Sequence, residues 1–142
     1  MLNNTIPVEV SSLSALQELR LGSNQLTGEL PELPSGLIEL DVQYNRLSGP
    51  LPLHLSDQDS LELLILSNYS FTGTIPTQYG TLGNLFYFHA PNNRLNGTLP
   101  SELGSLLRLV SIDVSDNISS GTIPSSLALW AIYKSLTLQE TC

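Results

Sequence analysis

Apolar residues return along the chain in pairs that bracket one variable position: Leu19/Leu21, Leu40/Val42, Leu64/Leu66, Phe88/Ala90, Ile112/Val114 and Leu136/Leu138. An apolar residue at every second position predicts a short strand with one buried face. Successive pairs lie 21 or 24 residues apart, which gives one strand per coil of chain. Strands that recur once per coil run parallel, and at ~4.8 Å per coil six of them make a sheet about 24 Å long. The positions beside each buried residue then face outward, away from the core.

A second set of columns advances in step with the first. Six of the nine prolines, Pro7, Pro31, Pro52, Pro76, Pro100 and Pro124, follow at intervals of 24, 21, 24, 24 and 24, each preceded by Ile or Leu. Three positions earlier stand Asn4, Gly28, Gly49, Gly73, Gly97 and Gly121. Seven positions before the last five prolines stand Asn24, Asn45, Tyr69, Asn93 and Asn117. The chain must turn after each strand, and Asn24, Asn45, Asn93 and Asn117 are expected to form a buried ladder there. Each amide supplies one acceptor and two donors to backbone groups of its own coil and the next. The glycines permit positive φ or close backbone approach, and the prolines fix φ where no ladder hydrogen bond is made.

Aligned on these columns, LSALQELRLGSNQLTGELP, LIELDVQYNRLSGPLP, LELLILSNYSFTGTIP, LFYFHAPNNRLNGTLP and LVSIDVSDNISSGTIP repeat one pattern, LxxLxxLxLxxNxLxGxIP. That pattern resembles the leucine-rich repeat in its plant-type form, marked by LxGxIP, over essentially the whole chain. The resemblance implies an α/β repeat solenoid, a right-handed superhelix with a parallel sheet on its concave face and mostly 3₁₀ or irregular segments on its convex side. It also implies a second short strand over LxGxIP and a 3₁₀ turn over residues 101–106.

Departures from the pattern locate irregularities. Tyr69 takes the place of a ladder Asn, and Ser119 stands where an apolar residue belongs, with Ile118 displaced by one. The 21-residue coil shortens its return to Glu32, Leu33, Pro34, Ser35 and Gly36, which predicts a convex side pulled inward and a local change of curvature. Leu2, Asn4, Ile6 and Pro7 occupy the second half of a coil, and Thr141 stands where a sixth Asn belongs. Residues 1–142 therefore read as one array of about five to six coils cut mid-repeat at both ends, a segment of a longer array with Cys142 a candidate first residue of a cap. An uncapped cytoplasmic protein is the alternative.

Composition narrows the function. Leucine supplies 30 of 142 residues, and 41% apolar against 13% charged residues describe a folding chain rather than a disordered one. Five Lys+Arg against 13 Asp+Glu give a net charge of -8, which disfavours nucleic acid and anionic lipid surfaces as partners. One Cys and two His, His54 and His89, cannot build a Cys₄ or Cys/His zinc site, and no cofactor-binding motif is present. There is no GxSxG elbow, and Asp57, Asp59 and Glu62 read as a solvated loop rather than acid–base machinery, so no enzyme activity is expected.

Recognition is the remaining class, and rigid repeat arrays recognise partners with outward positions of their strands. Those positions run Glu18, Glu39, Leu63, Tyr87, Ser111, Ser135 and Arg20, Asp41, Ile65, His89, Asp113, Thr137. Leu63, Ile65, Tyr87 and His89 make an apolar centre, with Glu39 and Asp41 on one side and Asp113 and Asp116 on the other, the anatomy of a protein-binding site. The expected partner is a protein or peptide ligand, with a co-receptor as a further candidate, and no membrane contact by the segment itself. Asn-x-Ser/Thr sequons at Asn3, Asn68 and Asn96 are glycosylation candidates, whereas the sequon at Asn117 coincides with the ladder. Similarity to receptor-like kinases and receptor-like proteins implies an extracellular or cell-surface, ligand-binding role. Alternatives are a secreted hydrolase inhibitor similar to polygalacturonase-inhibiting proteins, or a non-specific scaffold.

Overall fold

A computed structural model of the chain describes residues 1–67, 70–119, 122–131 and 134–138. Strands follow in the order β1 (Asn3–Thr5), β2 (Glu18–Arg20), β3 (Gln25–Gly28), β4 (Glu39–Asp41), β5 (Arg46–Leu47), β6 (Gly49–Pro50), β7 (Leu63–Ile65), β8 (Phe71–Gly73), β9 (Tyr87–His89), β10 (Arg94–Gly97), β11 (Ser111–Asp113), β12 (Ile118–Ser119) and β13 (Ser135–Thr137). The predicted period-2 strands β2, β4, β7, β9, β11 and β13 form one parallel six-stranded sheet in chain order. Their central residues Leu40, Leu64, Phe88 and Ile112 are fully buried, and Leu19 and Leu136 in the outermost strands are half-buried. Each fully buried side chain of this kind stabilises the coil by ~1.5–3 kcal/mol.

The LxGxIP stretches give a second set of parallel strands that closes the other side of the same core. Leu26, Leu47, Phe71 and Leu95 point inward from it. Gly28, Gly49, Gly73 and Gly97 all have positive φ, between 76° and 88°, and Asn4 fills the same column at φ 85°. Close approach adds to the requirement: a Cβ on Gly28 would stand 3.0 Å from Thr5 Cγ2, and one on Gly97 would stand 3.1 Å from Thr74 Cγ2. The third wall consists of 3₁₀ turns at Val8–Ser12, Leu53–Asp57, Thr77–Thr81 and Ser101–Ser105, each entered from a proline in extended conformation. They insert Leu55, Tyr79 and Leu103 into the core.

Two places differ from the regular coil. The short coil has no 3₁₀ turn between Pro31 and Leu37, and Gln58 of the next coil, itself buried, accepts the Leu37 N–H there (3.3 Å). In that coil residues 46–50 also join two groups of second strands: β5 pairs with β3, Ser48 N–H reaches Gly28 O (2.8 Å), and β6 pairs with β8 on the other side. After Pro124 the expected 3₁₀ turn is replaced by an α-helix, α1 (Ser125–Ala131). Ala128 occupies the position of Ser11, Ser56, Gly80 and Gly104, and its N–H reaches Pro124 O (2.9 Å), closing an α-turn in place of the 3₁₀ one. Tyr69, Gly121, Thr141 and Cys142 lie outside the described residues.

The turn after each strand uses the Asn column throughout its described length. Asn45, Asn93 and Asn117 are buried. Asn93 Nδ2 donates to Leu66 O of the preceding coil (2.9 Å) and to Ala90 O and Pro91 O of its own (3.1 and 3.2 Å), while Oδ1 accepts the Phe71 N–H (3.1 Å). Asn45 and Asn117 repeat that set against Leu21, Val42, Gln43 and Leu26, and against Ala90, Val114, Ser115 and Leu95. At the first coil Asn24 donates to Leu21 O and Gly22 O and accepts from the Leu2 N–H.

Just before each ladder Asn, Ser23, Tyr44, Asn92 and Asp116 adopt left-handed φ of 53–59°. That turn aims the N–H groups of Ser23, Tyr44 and Asn92 at carbonyls of the following coil, Gln43, Ser67 and Ser115.

Candidate functional site

The parallel register of the six-stranded sheet assembles the outward face. One row pairs Glu18 with Glu39, Glu39 with Leu63, Leu63 with Tyr87, Tyr87 with Ser111 and Ser111 with Ser135. The other pairs Arg20 with Asp41, Asp41 with Ile65, Ile65 with His89, His89 with Asp113 and Asp113 with Thr137. Leu63 and Ile65 are half-buried, and Tyr87 is 41% exposed, the most prominent aromatic on this face. The Tyr87 and His89 rings meet edge to face with centroids 5.9 Å apart, and His89 Nε2 lies 3.0 Å from Ser111 Oγ. Both contacts fix side-chain orientation in a patch that remains open to solvent.

The carboxylates around this patch divide by their partners. Glu39 is held by Arg20, whose Nε and Nη2 donate to its two oxygens (2.7 and 2.5 Å), and Glu18 approaches the same guanidinium at 3.0 Å. That paired hydrogen bond keeps the Glu39 carboxyl below its ordinary pKa. Asp41 accepts the Gln43 backbone and side-chain N–H groups (both 3.0 Å), and Asp113 accepts the Ser115 N–H and hydroxyl (3.0 and 2.7 Å). The expected acidic border is thus in large part a set of turn-building and ion-paired groups. Glu62 is exposed, and its carboxylate has neither ion pair nor hydrogen bond among the described residues.

Sequence reasoning missed the column that precedes the strands. Ile38, Glu62, Phe86 and Val110 are joined in order by backbone hydrogen bonds of 2.8–2.9 Å, so the sheet effectively continues one residue beyond the named positions. Ile38, Glu39, Glu62, Leu63, Phe86 and Tyr87 line a shallow groove of about 260 Å³ on this edge. Arg108 stacks over the Phe86 ring at 5.3 Å and donates to Asn84 Oδ1 (2.6 Å), which fixes one end of the groove. The missed signal was the column just before each strand, which places Glu62 between the apolar Ile38 and Phe86.

The remaining candidates separate by exposure. Asn96 lies exposed on β10, and among the described residues its side chain makes no hydrogen bond, whereas the Asn117 amide is consumed by the turn. Asn3 sits in β1, and Asn68 lies outside the described residues. His54 packs half-buried against the short coil with Nε2 unpartnered among the described residues, and burial lowers its pKa against the opposing pull of Glu32, the Pro31 carbonyl and Asp57. Among the described residues no group of three or more His, Cys, Asp or Glu is arranged to hold a metal, and no helix is long and apolar enough to cross a membrane.

Comparison with known proteins places this architecture. A Leucine Rich Repeat family model matches residues 15–37 and 36–57. Receptor-like protein 35 of Arabidopsis thaliana is 41% identical over 93 residues, covering 63% of this chain and 10% of that protein. The plant peptide hormone receptor RGFR1, solved in complex with RGF2, superposes with a TM-score of 0.91 at 33% identity, over 96% of this chain and 22% of that one. A chain of the BIR3–SERK2 complex from Arabidopsis thaliana is 38% identical with a TM-score of 0.72, over 86% of this chain and 71% of that one. The chain spans about a tenth of the length of the first curated relatives it matches, 8% and 11%.

Proposed function

Because the chain belongs to the leucine-rich repeat family of plant receptor-like proteins and receptor kinases, we propose that it is a ligand-binding segment of an extracellular receptor domain. It recognises a protein or peptide through the concave, outward face of the six-stranded sheet and performs no catalysis itself. The observation that carries this reading is the register that stacks Leu63 on Tyr87 and Ile65 on His89 in a solvent-open apolar patch. A fixed aromatic beside aliphatic side chains, bordered by polar groups, is the composition of an interface centre. Relatives solved as complexes, RGFR1 with RGF2 and BIR3 with SERK2, support the class of partner.

The test is secretion of the tagged chain from plant cells, chemical crosslinking, and identification of captured peptides and proteins by mass spectrometry. Species captured by the wild type should vanish with the double variant Leu63→Glu/Tyr87→Glu. An unchanged capture profile would sink the assignment of this face.

A further inference from the structure

The edge groove differs in kind from the rest of the outward face, and its chemistry specifies a guest. Four of its six lining residues, Ile38, Leu63, Phe86 and Tyr87, are apolar, and they surround a concavity rather than a flat strand surface. A pocket of about 260 Å³ with such walls takes one large aliphatic or aromatic side chain. The two carboxylates of the lining are not equivalent. Glu39 is neutralised by Arg20 through a bidentate pair, while Glu62, between Ile38 and Phe86 in the edge column, carries an unmatched charge.

Charge at the other end has the opposite sign. Arg108 lies over Phe86 and is held there by Asn84, so a cation on the guest is repelled from that end and drawn toward Glu62. The net charge of -8 pulls the same kind of guest from a distance. We propose that this groove anchors an extended polypeptide segment of the partner in which a large apolar side chain adjoins an arginine or lysine, the apolar group filling the groove and the cation pairing with Glu62. The proposal rests on the face assignment above and refines it to one point of contact.

Amide-resolved NMR titration of the 142-residue chain tests it with three acetylated, amidated tetrapeptides: Gly-Leu-Arg-Gly, Gly-Leu-Glu-Gly and Gly-Ala-Arg-Gly. The first should shift the amides of Ile38, Glu62, Leu63, Phe86 and Tyr87. The other two, and the first peptide against the exposed-site variant Glu62→Lys, should bind at least about tenfold more weakly. Equal affinity for the Arg and Glu peptides overturns the charge assignment. Shifts centred on Ile65, His89 and Asp113 overturn the groove while leaving the broader face intact. No shift with any peptide also overturns the anchor, and Leu63/Tyr87-dependent capture from secreted protein would then show that the face reading survives without it.

Discussion

Replacing Asn93 by alanine removes four hydrogen bonds, two of which join neighbouring coils, and their surroundings set the cost. The Phe71 N–H belongs to a residue with no exposed surface, so water cannot take the place of Asn93 Oδ1. The Ala90 carbonyl keeps a second donor in Asn117, but Leu66 O, also of a fully buried residue, loses its Asn93 donor. At ~1–3 kcal/mol for each buried group left unsatisfied, two such groups predict a loss of about 3 kcal/mol. Asn24→Ala is the control: its backbone partner Leu2 is 54% exposed, water substitutes for the lost acceptor, and the loss should stay near 1 kcal/mol or below.

A third variant separates the two halves of the amide. Asn93→Asp keeps an acceptor for Phe71 but sets an oxygen against the Leu66, Ala90 and Pro91 carbonyls. Its carboxyl pKa is therefore raised in the fold, and the deficit should shrink as pH falls through the folded pKa toward the unfolded value of ~3.9, where the protonated acid donates. Urea denaturation at fixed temperature gives the free energies, and hydrogen exchange at Phe71 reports the affected amide directly. Equal losses for Asn93→Ala and Asn24→Ala would refute the argument from burial.

Four further expectations follow from individual positions. A Cβ on Gly104 would lie 2.6 Å from Ser126 Cβ and 3.0 Å from its backbone carbon, so Gly104→Ala should cost ~1–3 kcal/mol by forcing two turns apart. Gly83→Ala, whose nearest neighbour stands 3.9 Å away, should be neutral or slightly stabilising, both variants being read by the same urea denaturation. His54 has a folded pKa below its unfolded value near 6.5, so the stability it contributes is complete above that pH and falls as the solution is acidified below it. His54→Gln should flatten the stability profile below that point. Secreted chain should carry an N-glycan at Asn96, and a glycosidase-sensitive mass shift that persists in Asn96→Gln would place the sugar elsewhere.

The strands were legible because burial at every second residue leaves a trace that one sequence displays: Leu40, Leu64, Phe88 and Ile112 are apolar for the same reason that they are inside. The glycine column was legible because positive φ restricts residue choice, and Asn4 at φ 85° shows the restriction applying even without glycine. The left-handed turn at Tyr44 was not, since Ser23, Tyr44, Asn92 and Asp116 share a conformation but no side-chain type. Helix α1 was hidden because a 3₁₀ turn and an α-turn differ by one hydrogen bond, and the residue type at that position does not decide it, since Ser11 and Ser56 occupy it in turns that stay 3₁₀. At the site, strand register made the neighbours of Leu63 and Tyr87 readable. The column of Ile38 and Phe86 escaped because it falls outside the alternation, and the pairing of Arg20 with Glu39 depends on rotamers that no spacing specifies.

The short coil is completed from outside itself. In the regular coils the N–H groups of Leu61, Leu85 and Leu109 each find a carbonyl three residues earlier, at the exit of their own turn. Residues 32–36 form no 3₁₀ turn, and the equivalent N–H of Leu37 is received instead by the buried side chain of Gln58 in the next coil (3.3 Å). Two successive repeats are therefore one unit here, the deletion in the first being matched by a buried amide in the second. Gln58→Ala should strand the Leu37 N–H at a cost of ~1–3 kcal/mol, and restoring a regular-length return at residues 32–36 should make the same substitution nearly neutral.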